Sequence, residues 1–432
     1  PAPPKAKRIC LFICIVLSLG ILGYYKYFAF GIAVLNRFLH LLHLNEVGVK
    51  FDILLPVGIS FYTLQALGYL IDVYRGDTDA EKNFLKYALF VSFFPQLVAG
   101  PIERSENLLT QLSESHVLQY DNFRKGILLL LYGLFLKMVI ADRAAAIVDT
   151  VYGDNAGYPG LYIVVATVFF AIQIYCDFYG YSTIARGSAL LMGIRLMDNF
   201  NAPYYARNVK EFWRRWHISL SGWFRDYLYI PLGGSRKGNA RKEGNRLLVF
   251  GLSGLWHGAS LSYVLWGALN GIYQVIEDAA DRLKEAVSVR LTAGGYRTGY
   301  IEAERFSRPL FQRSVTFVLI SLTMLIFRAG SLEAMRQLLL HLFSAANPEI
   351  FFDGSLYGLG VEEREMHALL ISIFVLFTVD YQKYKDKDPA AMVLKQGWWF
   401  RYLAYAALFF MILIFGCYGD TYDAQQFIYF QF

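Results

Sequence analysis

The sequence has few charged residues for its length. Of its 432 residues, 18% are charged, while 56% are hydrophobic and 17% are aromatic. Soluble domains carry about a quarter of charged residues, so the composition excludes an ordinary soluble protein and favours an integral membrane protein. The formal net charge of +6 is small, and no block is basic enough to indicate nucleic-acid binding.

Cysteine is scarce as well, and several catalytic motifs are missing. The four cysteines form no CxxC pair and no Cys/His metal spacing, so we expect buried thiols without a metal site or a bound cofactor. The motifs GxSxG, HExxH and the P-loop do not occur. Serine hydrolases, zinc proteases and NTPases therefore find no support in the sequence.

Long apolar runs dominate the chain. About 20 mainly apolar residues cross a bilayer as a helix. Runs near this length, some of them short or interrupted, predict an all-α polytopic membrane helix bundle at residues 9–30, 53–74, 126–140, 161–179, 261–276, 311–327, 368–381 and 402–417. No repeat or soluble linker divides the chain, which predicts one membrane domain over residues 1–432.

Three further segments are apolar but do not form uninterrupted runs of membrane length. Residues 83–101 contain Pro95, Gly100 and Pro101, which interrupt a helix. Backbone freed at membrane depth must be buried in protein or line a wet cavity, so a re-entrant segment is predicted there. Residues 33–44 and 332–343 are amphipathic and predict helices lying along the membrane interface.

One loop indicates the orientation of the chain. Residues 235–246 hold five basic residues against Glu243 alone. Cytoplasmic loops of membrane proteins carry an excess of Lys and Arg, so this loop is predicted to face the cytoplasm.

The segment around His217 is one of two that carry ionisable residues suited to chemistry. Asn208, with Glu211 three residues later, is typical of a helix start. A continuous helix from there places Trp213, His217, Leu220, Ser221 and Phe224 on one face. Such a histidine either is hydrogen-bonded in the core or contacts a substrate, and the residues alone favour the core.

His257 lies between two apolar runs. An ionisable group at membrane depth is costly and is a functional candidate, although a structural hydrogen bond to a neighbouring helix is the alternative. In a continuous helix its neighbours are Ser253, Gly254, Ser260 and Leu261, which are mostly small and leave space for a substrate. A neutral imidazole suits a general base for a hydroxyl attacking a thioester or ester, and this indicates direct acyl transfer.

Five stretches together resemble one protein family. They are LPVGISFYTLQALGYLIDVYRG (55–76), FFPQLVAGPIER (93–104), FWRRWHISLSGWFRDYLYIPLGG (212–234), LSGLWHGAS (252–260) and FIYFQF (427–432). In this order they resemble the membrane-bound O-acyltransferase (MBOAT) family, in its bacterial alginate O-acetyltransferase (AlgI-like) branch. Members of that branch usually carry further hydrophobic helices before the stretch that matches residues 8–30.

The resemblance implies a helix bundle with a central tunnel between the two faces of a bacterial cytoplasmic membrane. An acyl thioester, acyl-CoA or an acyl carrier, enters from the cytoplasm, and a polysaccharide hydroxyl accepts the acyl group outside. An extracytoplasmic partner similar to SGNH hydrolases is also implied, with a serine that takes the acyl group first. These are expectations that follow from the family.

The resemblance also implies which residues of this sequence form the site. His257 of WHG matches the catalytic base, and His217 of RRWH matches the second tunnel histidine. Arginines near His217 either steer an anionic donor or form structural pairs, and Asp177 and Tyr181 either line the tunnel or pack in the core. The candidates for the tunnel or the donor site are Trp213, Arg214, Arg215, Trp216, Ser221, Arg225, Asp226, Asp177, Tyr181, Ser253 and Trp256.

Two alternatives remain open. The related D-alanyl transfer proteins of teichoic acid modification have FFPT and SGPIDR and lack IPLGG, whereas FFPQLVAGPIER and YIPLGGSRKG here favour acetyl transfer. A transporter that uses His217 and His257 as a proton relay is an alternative of another class. The absence of an internal repeat in the sequence speaks against it.

Overall fold

A computed structural model describes residues 4–48, 56–293 and 307–418. Regular structure in these ranges is entirely helical. The α-helices are α1 Pro4–Leu22, α2 Phe28–Leu41, α3 Ile59–Arg75, α4 Phe84–Val91, α5 Ser105–Leu112, α6 Tyr120–Leu134, α7 Asp142–Gly153, α8 Leu161–Leu191, α9 Val209–Arg215, α10 Ile218–Phe224, α11 Asn239–His257, α12 Leu261–Ala293, α13 Ser307–Ala329, α14 Leu332–Leu342, α15 Glu363–Tyr384, α16 Pro389–Leu394 and α17 Trp398–Phe415. Short π-helical turns occupy Gly23–Tyr27, Phe135–Ala141 and Arg225–Tyr229.

Five helical stretches are long and apolar enough to cross a membrane. They are Lys5–Leu41, Leu161–Leu191, Ser307–Ala329, Glu363–Tyr384 and Trp398–Phe415. The predicted all-α polytopic membrane bundle is confirmed. The runs predicted at residues 53–74, 126–140 and 261–276 also form helices in their described parts. These helices are too short or too polar to count among the five that could cross a membrane. The single domain over residues 1–432 stays a prediction, and the FIYFQF motif lies outside the described residues.

The first helical stretch differs from the expectation. Residues 33–41 continue it without a break, so the separate interface helix predicted at residues 33–44 is wrong. Cys10 lies exposed on this stretch, against the expected buried thiols, because most of its surface points away from the bundle. The second amphipathic helix does form as α14, and the Ser331 side chain accepts a hydrogen bond from the Ala334 backbone at its start.

The helix predicted to be broken near Pro95 is broken. After α4 the chain runs without regular helix to α5, and Gln96 and Pro101 there are buried. The Gln65 side chain donates to the Phe90 carbonyl over 2.7 Å and accepts from the Gln96 amide over 2.9 Å. The irregular backbone is thus buried in protein, as its polar groups require. Its entry into the bilayer as a re-entrant segment stays a prediction.

Helices α11 and α12 form the hairpin that carries His257. They approach closely at two glycines: a Cβ on Gly254 would lie 2.0 Å from the Tyr263 carbonyl oxygen, and one on Gly267 would lie 2.1 Å from that of Phe250. Small residues allow helix backbones to approach this closely in membranes. The last turn of α11 is therefore held against the first turns of α12.

Replacing Gly254 by alanine should loosen this hairpin. The added methyl group overlaps a backbone oxygen, which cannot rotate away, so we expect a loss of about 1–3 kcal/mol of stability. The matched control is Gly251→Ala in the same helix, where an added Cβ meets nothing within 4 Å. Melting temperatures of the detergent-solubilised variants measure the effect. Equal melting temperatures for both variants would contradict the close packing.

Candidate active site

The two predicted histidines lie near each other and are both buried. The ring centroids of His217 and His257 are 6.3 Å apart, and the residues are 1% and 6% exposed. The fold thus unites two imidazoles that are far apart in the sequence. Buried ionisable pairs of this kind mark functional sites.

The chain reaches His217 through a helix break. Asn208 starts α9 as predicted, and its side chain accepts from the Glu211 backbone over 2.8 Å. The continuous helix predicted beyond it is wrong, because His217 adopts a left-handed backbone conformation with φ of 45° and separates α9 from α10. This conformation costs about 1 kcal/mol for a residue with a side chain, and strain of this kind clusters at active sites.

Asn199 stabilises that break, and sequence reasoning did not identify it. Its backbone carbonyl accepts from the Ile218 amide over 2.9 Å. Its side-chain oxygen accepts from the amide and the hydroxyl of Ser219 over 3.2 and 2.8 Å, and it lies 3.3 Å from Nδ1 of His217. An oxygen in that role requires a proton on Nδ1, which leaves the lone pair of the neutral ring on Nε2.

The surroundings of His257 correct a second expectation. Gly258 is extended and ends α11 at the histidine, so Ser260 and Leu261 do not follow on the same helix. Ser253 and Gly254 do precede it by one turn. Elsewhere the ring is packed by aromatic side chains instead of small ones, with ring centroids 4.9 Å from Trp256, 5.2 Å from Trp266 and 5.5 Å from Phe327.

Aromatic rings also enclose His217. Phe178 lies 4.6 Å from it, edge on, and Trp256 lies 6.1 Å from it. The surroundings of both imidazoles are consequently apolar, which strengthens electrostatic interactions between reacting groups. The ring of Trp256, a predicted tunnel residue, lies near both histidines.

A cavity of about 580 Å³ is lined by residues next to both histidines in the chain, although neither imidazole is part of its wall. Its wall includes Ile218 and Ser219, which directly follow His217, and Ser253, which lies one turn before His257. Many residues predicted for the donor site line it, namely Trp213, Arg214, Ser221, Arg225, Asp226 and Ser253. Arg104, Lys210 and Arg246 add positive charge to the same wall.

A second, polar cavity of about 760 Å³ shares Lys210, Arg214 and Arg246 with the first and adds Arg215. Asp278 lies in its wall with a side chain only 11% exposed. Burial by itself raises the pKa of Asp278, but hydrogen bonds from Lys210, Lys242 and Arg246 outweigh it and leave the pKa below its ordinary value. The carboxylate therefore stays charged and holds three cations at the cavities.

The predicted arginines differ in their pairing. Arg225 and Arg104 both bind the Asp226 carboxylate, over 2.7 and 2.8 Å. Arg215 binds Glu211 over 2.9 Å. Arg214 lines both cavities, is exposed, and makes no ion pair within the described ranges. Of these side chains, Arg214 is the one placed to meet an anionic ligand without first leaving a carboxylate.

Three predicted residues do not join the histidines. Asp177 binds Lys137 over 2.6 Å, and it is the next residue, Phe178, that contacts His217. Trp216 is buried in an aromatic cluster, with its ring centroid 5.1 Å from that of Phe200. Tyr181 packs against two clusters of buried apolar side chains, one that includes Phe178 and one that includes Phe90. These contacts favour packing over contact with substrate.

Comparison with known proteins identifies the family. The sequence model of the membrane-bound O-acyltransferase family matches residues 80–290. A protein of Pseudomonas aeruginosa named "Probable alginate O-acetylase AlgI" is 37% identical over 390 residues, which are 90% of this chain and 71% of that protein. The chain belongs to the membrane-bound O-acyltransferase family and is a multi-pass membrane O-acyltransferase. This favours acyl transfer over the transporter alternative.

Two further relatives differ in the group they transfer. The "Peptidoglycan O-acetyltransferase" of Helicobacter pylori is 34% identical over 367 residues, 78% of this chain and 65% of that protein. The "Teichoic acid D-alanyltransferase" of Streptococcus thermophilus is 27% identical over 286 residues, 63% of this chain and 68% of that protein.

Removing the Asn199 side chain should disturb the break at His217. In Asn199→Ala the buried amide and hydroxyl of Ser219 lose their acceptor, which costs about 1–3 kcal/mol of stability, and the His217 ring loses its support. Thermal unfolding in detergent and acyl transfer per folded protein measure the two effects. The control is Asn122→Ala, whose side chain is half-buried and bonds only to Gln119 among the described residues. An Asn199 variant that behaves like this control would contradict the assignment.

Proposed function

We propose that this chain moves an acetyl group from a cytoplasmic acyl thioester to a hydroxyl of an extracytoplasmic polysaccharide or of a partner protein, across a bacterial cytoplasmic membrane. The observation that supports this most is the buried histidine pair, 6.3 Å between ring centroids, beside a cavity with a basic wall. The names of the alginate and peptidoglycan relatives point to polymer acetylation as well.

His257 serves as the general base in this proposal. The acceptor oxygen attacks the thioester carbon while the His257 imidazole takes the hydroxyl proton. The new carbon–oxygen bond forms, the carbon–sulfur bond breaks, and the proton passes to the leaving thiolate, which departs as a thiol. Proton transfer by a positioned imidazole contributes about 10²–10⁴ to the rate.

His217 positions the reacting groups. With the Asn199 oxygen accepting from Nδ1, the lone pair of the neutral His217 ring lies on Nε2, which is a hydrogen-bond acceptor. The reacting hydroxyl has one proton and gives it to His257, so Nε2 holds a second donor group of the acceptor molecule, such as a neighbouring hydroxyl. Polarising a carbonyl would require a donor at this place. The contact orients the acceptor molecule, and orientation lowers the barrier when two substrates must meet.

The donor is an anionic thioester that enters through the two cavities. Coenzyme A and the prosthetic group of acyl carriers both carry phosphate, and Arg and Lys bind phosphate strongly. The shared cations Lys210, Arg214 and Arg246 match such a ligand, while Trp213 and Phe250 line the first cavity with apolar surface.

The comparisons support acetyl as the acyl group in this proposal. The D-alanyltransferase relative shares less identity over less of this chain than the acetylating relatives, which favours acetyl over D-alanyl. Where a serine of an SGNH-hydrolase-like partner takes the group first, the purified chain alone transfers none to polysaccharide. Acetyl ester and D-alanyl ester content of the surface polymers, with and without this gene, distinguishes the two transfers.

Alanine substitutions test the base. His257→Ala should lower the initial rate of acetyl ester formation on surface polymer by about 10²–10⁴, because the reacting hydroxyl loses the base assigned to it. His217→Ala should lower it less, since it removes orientation only. Rates are measured after induction in a deletion strain and divided by the amount of inserted protein. The control is the exposed His40→Ala. Unchanged acetylation by a normally inserted His257→Ala protein would refute the assignment.

Arg214→Ala tests the route of the donor. Losing one charge-assisted hydrogen bond costs about 1.5–3 kcal/mol, so the KM for acetyl-coenzyme A should rise roughly tenfold or more with little change in kcat. Thiol release by membrane vesicles over a range of donor concentrations measures it. Arg236→Ala, in the basic loop and outside the walls of both cavities, is the control. An unchanged KM would exclude Arg214 from the donor site.

A further inference from the structure

Lys26 is a charged residue in an unexpected place. It lies within the apolar stretch Lys5–Leu41, and only 6% of the most apolar part of that stretch is buried in the protein. A charge at membrane depth is costly and is kept where it has a function. Lys26 itself is half-buried, so its side chain turns from the lipid-facing side into the bundle.

The ammonium group of Lys26 reaches the end of α11. Its Nζ donates to the carbonyl oxygens of Trp256 over 2.7 Å and of His257 over 3.1 Å, and to the Ser60 hydroxyl over 3.3 Å. The next residue, Tyr27, donates its hydroxyl to the Leu255 carbonyl over 2.9 Å. One turn of the first helical stretch thereby binds three successive carbonyls that end at the histidine.

These contacts supply hydrogen-bond donors to the carbonyls at the end of α11. The last carbonyls of a helix have no donor within the helix, and a cation at that end also interacts favourably with the helix dipole. Because Gly258 is extended directly after His257, the chain leaves the helix at the histidine itself. The Lys26 contacts lie in the π-helical turn Gly23–Tyr27, and such turns occur often at functional sites.

We infer that Lys26 is a positioning residue for acyl transfer: its ammonium group holds the last turn of α11 and so sets the place and direction of the His257 ring beside His217. The inference rests on the proposed role of His257 as the base. A misplacement of about 1 Å in a catalytic group can cost a hundredfold in rate, so the contact matters for activity beyond its contribution to stability.

Lys26→Met tests the inference, because methionine keeps most of the length and apolar surface of the side chain but removes the charge and the donors. The rate of acetyl ester formation on surface polymer, per inserted and monodisperse protein, should fall on the order of tenfold to hundredfold. Lys26→Arg should recover most of the rate, since a guanidinium donates to the same carbonyls.

Two matched controls separate the ammonium group from its surroundings. Tyr27→Phe removes the neighbouring contact to α11 but keeps the cation, and it should lower the rate less than Lys26→Met. Lys5→Met removes an exposed lysine from the far end of the helical stretch Lys5–Leu41 and should leave the rate unchanged. A Lys26→Met protein with the parent rate would overturn the inference, and so would a Lys26→Arg protein as impaired as Lys26→Met.

His257→Ala, measured in parallel, distinguishes the inference from the proposed function. Loss of activity in His257→Ala together with a normal rate in Lys26→Met refutes only the role of Lys26. A normal rate in His257→Ala refutes the base itself, and the inference with it. Loss in both variants, with recovery by arginine at position 26, supports both.

Discussion

The end of α11 is the constraint on which the site depends. Gly254, which has no side chain, packs against the backbone of α12. Lys26, in the first helical stretch, donates hydrogen bonds to the carbonyls of the final turn of α11. His257 is the last residue of that turn. A histidine at the end of a helix is normally freer to move, whereas this one is held by backbone packing and by the half-buried cation Lys26. Preorganisation of this kind lowers the cost of reaching the reactive geometry.

Polarity changes sharply from the site to the cavities beside it. The imidazoles are packed by aromatic rings, while Lys210, Arg214 and Arg246 lie where the two cavities meet. Burying a charge in an apolar environment is costly, so these cations lie where water reaches them. There they can attract an anionic donor. Asp278 keeps three of the cations together without neutralising Arg214.

Sequence reasoning was most accurate where one residue or one pattern decides the outcome. The cap at Asn208 and the broken helix near Pro95 could be predicted, because each depends on neighbours in sequence. The continuous helix through His217 and the small neighbours of His257 were wrong. A left-handed residue supported by Asn199, and a helix that ends at its histidine, both depend on contacts made by distant parts of the chain.

The amino-acid sequence by itself determined the class of this protein, since apolar runs of membrane length and the motifs of its family are local properties of the chain. It also singled out His217 and His257. Only the tertiary structure decided that the two rings meet, that Asn199 contacts His217, and that Lys26 binds the end of α11. It also decided that Asp177 pairs with Lys137 and that Trp216 packs in an aromatic cluster, while Arg214 lies exposed in the wall of both cavities. The physical reason is that such contacts join residues as far as 231 positions apart, and no periodicity in a sequence encodes which pairs will pack together.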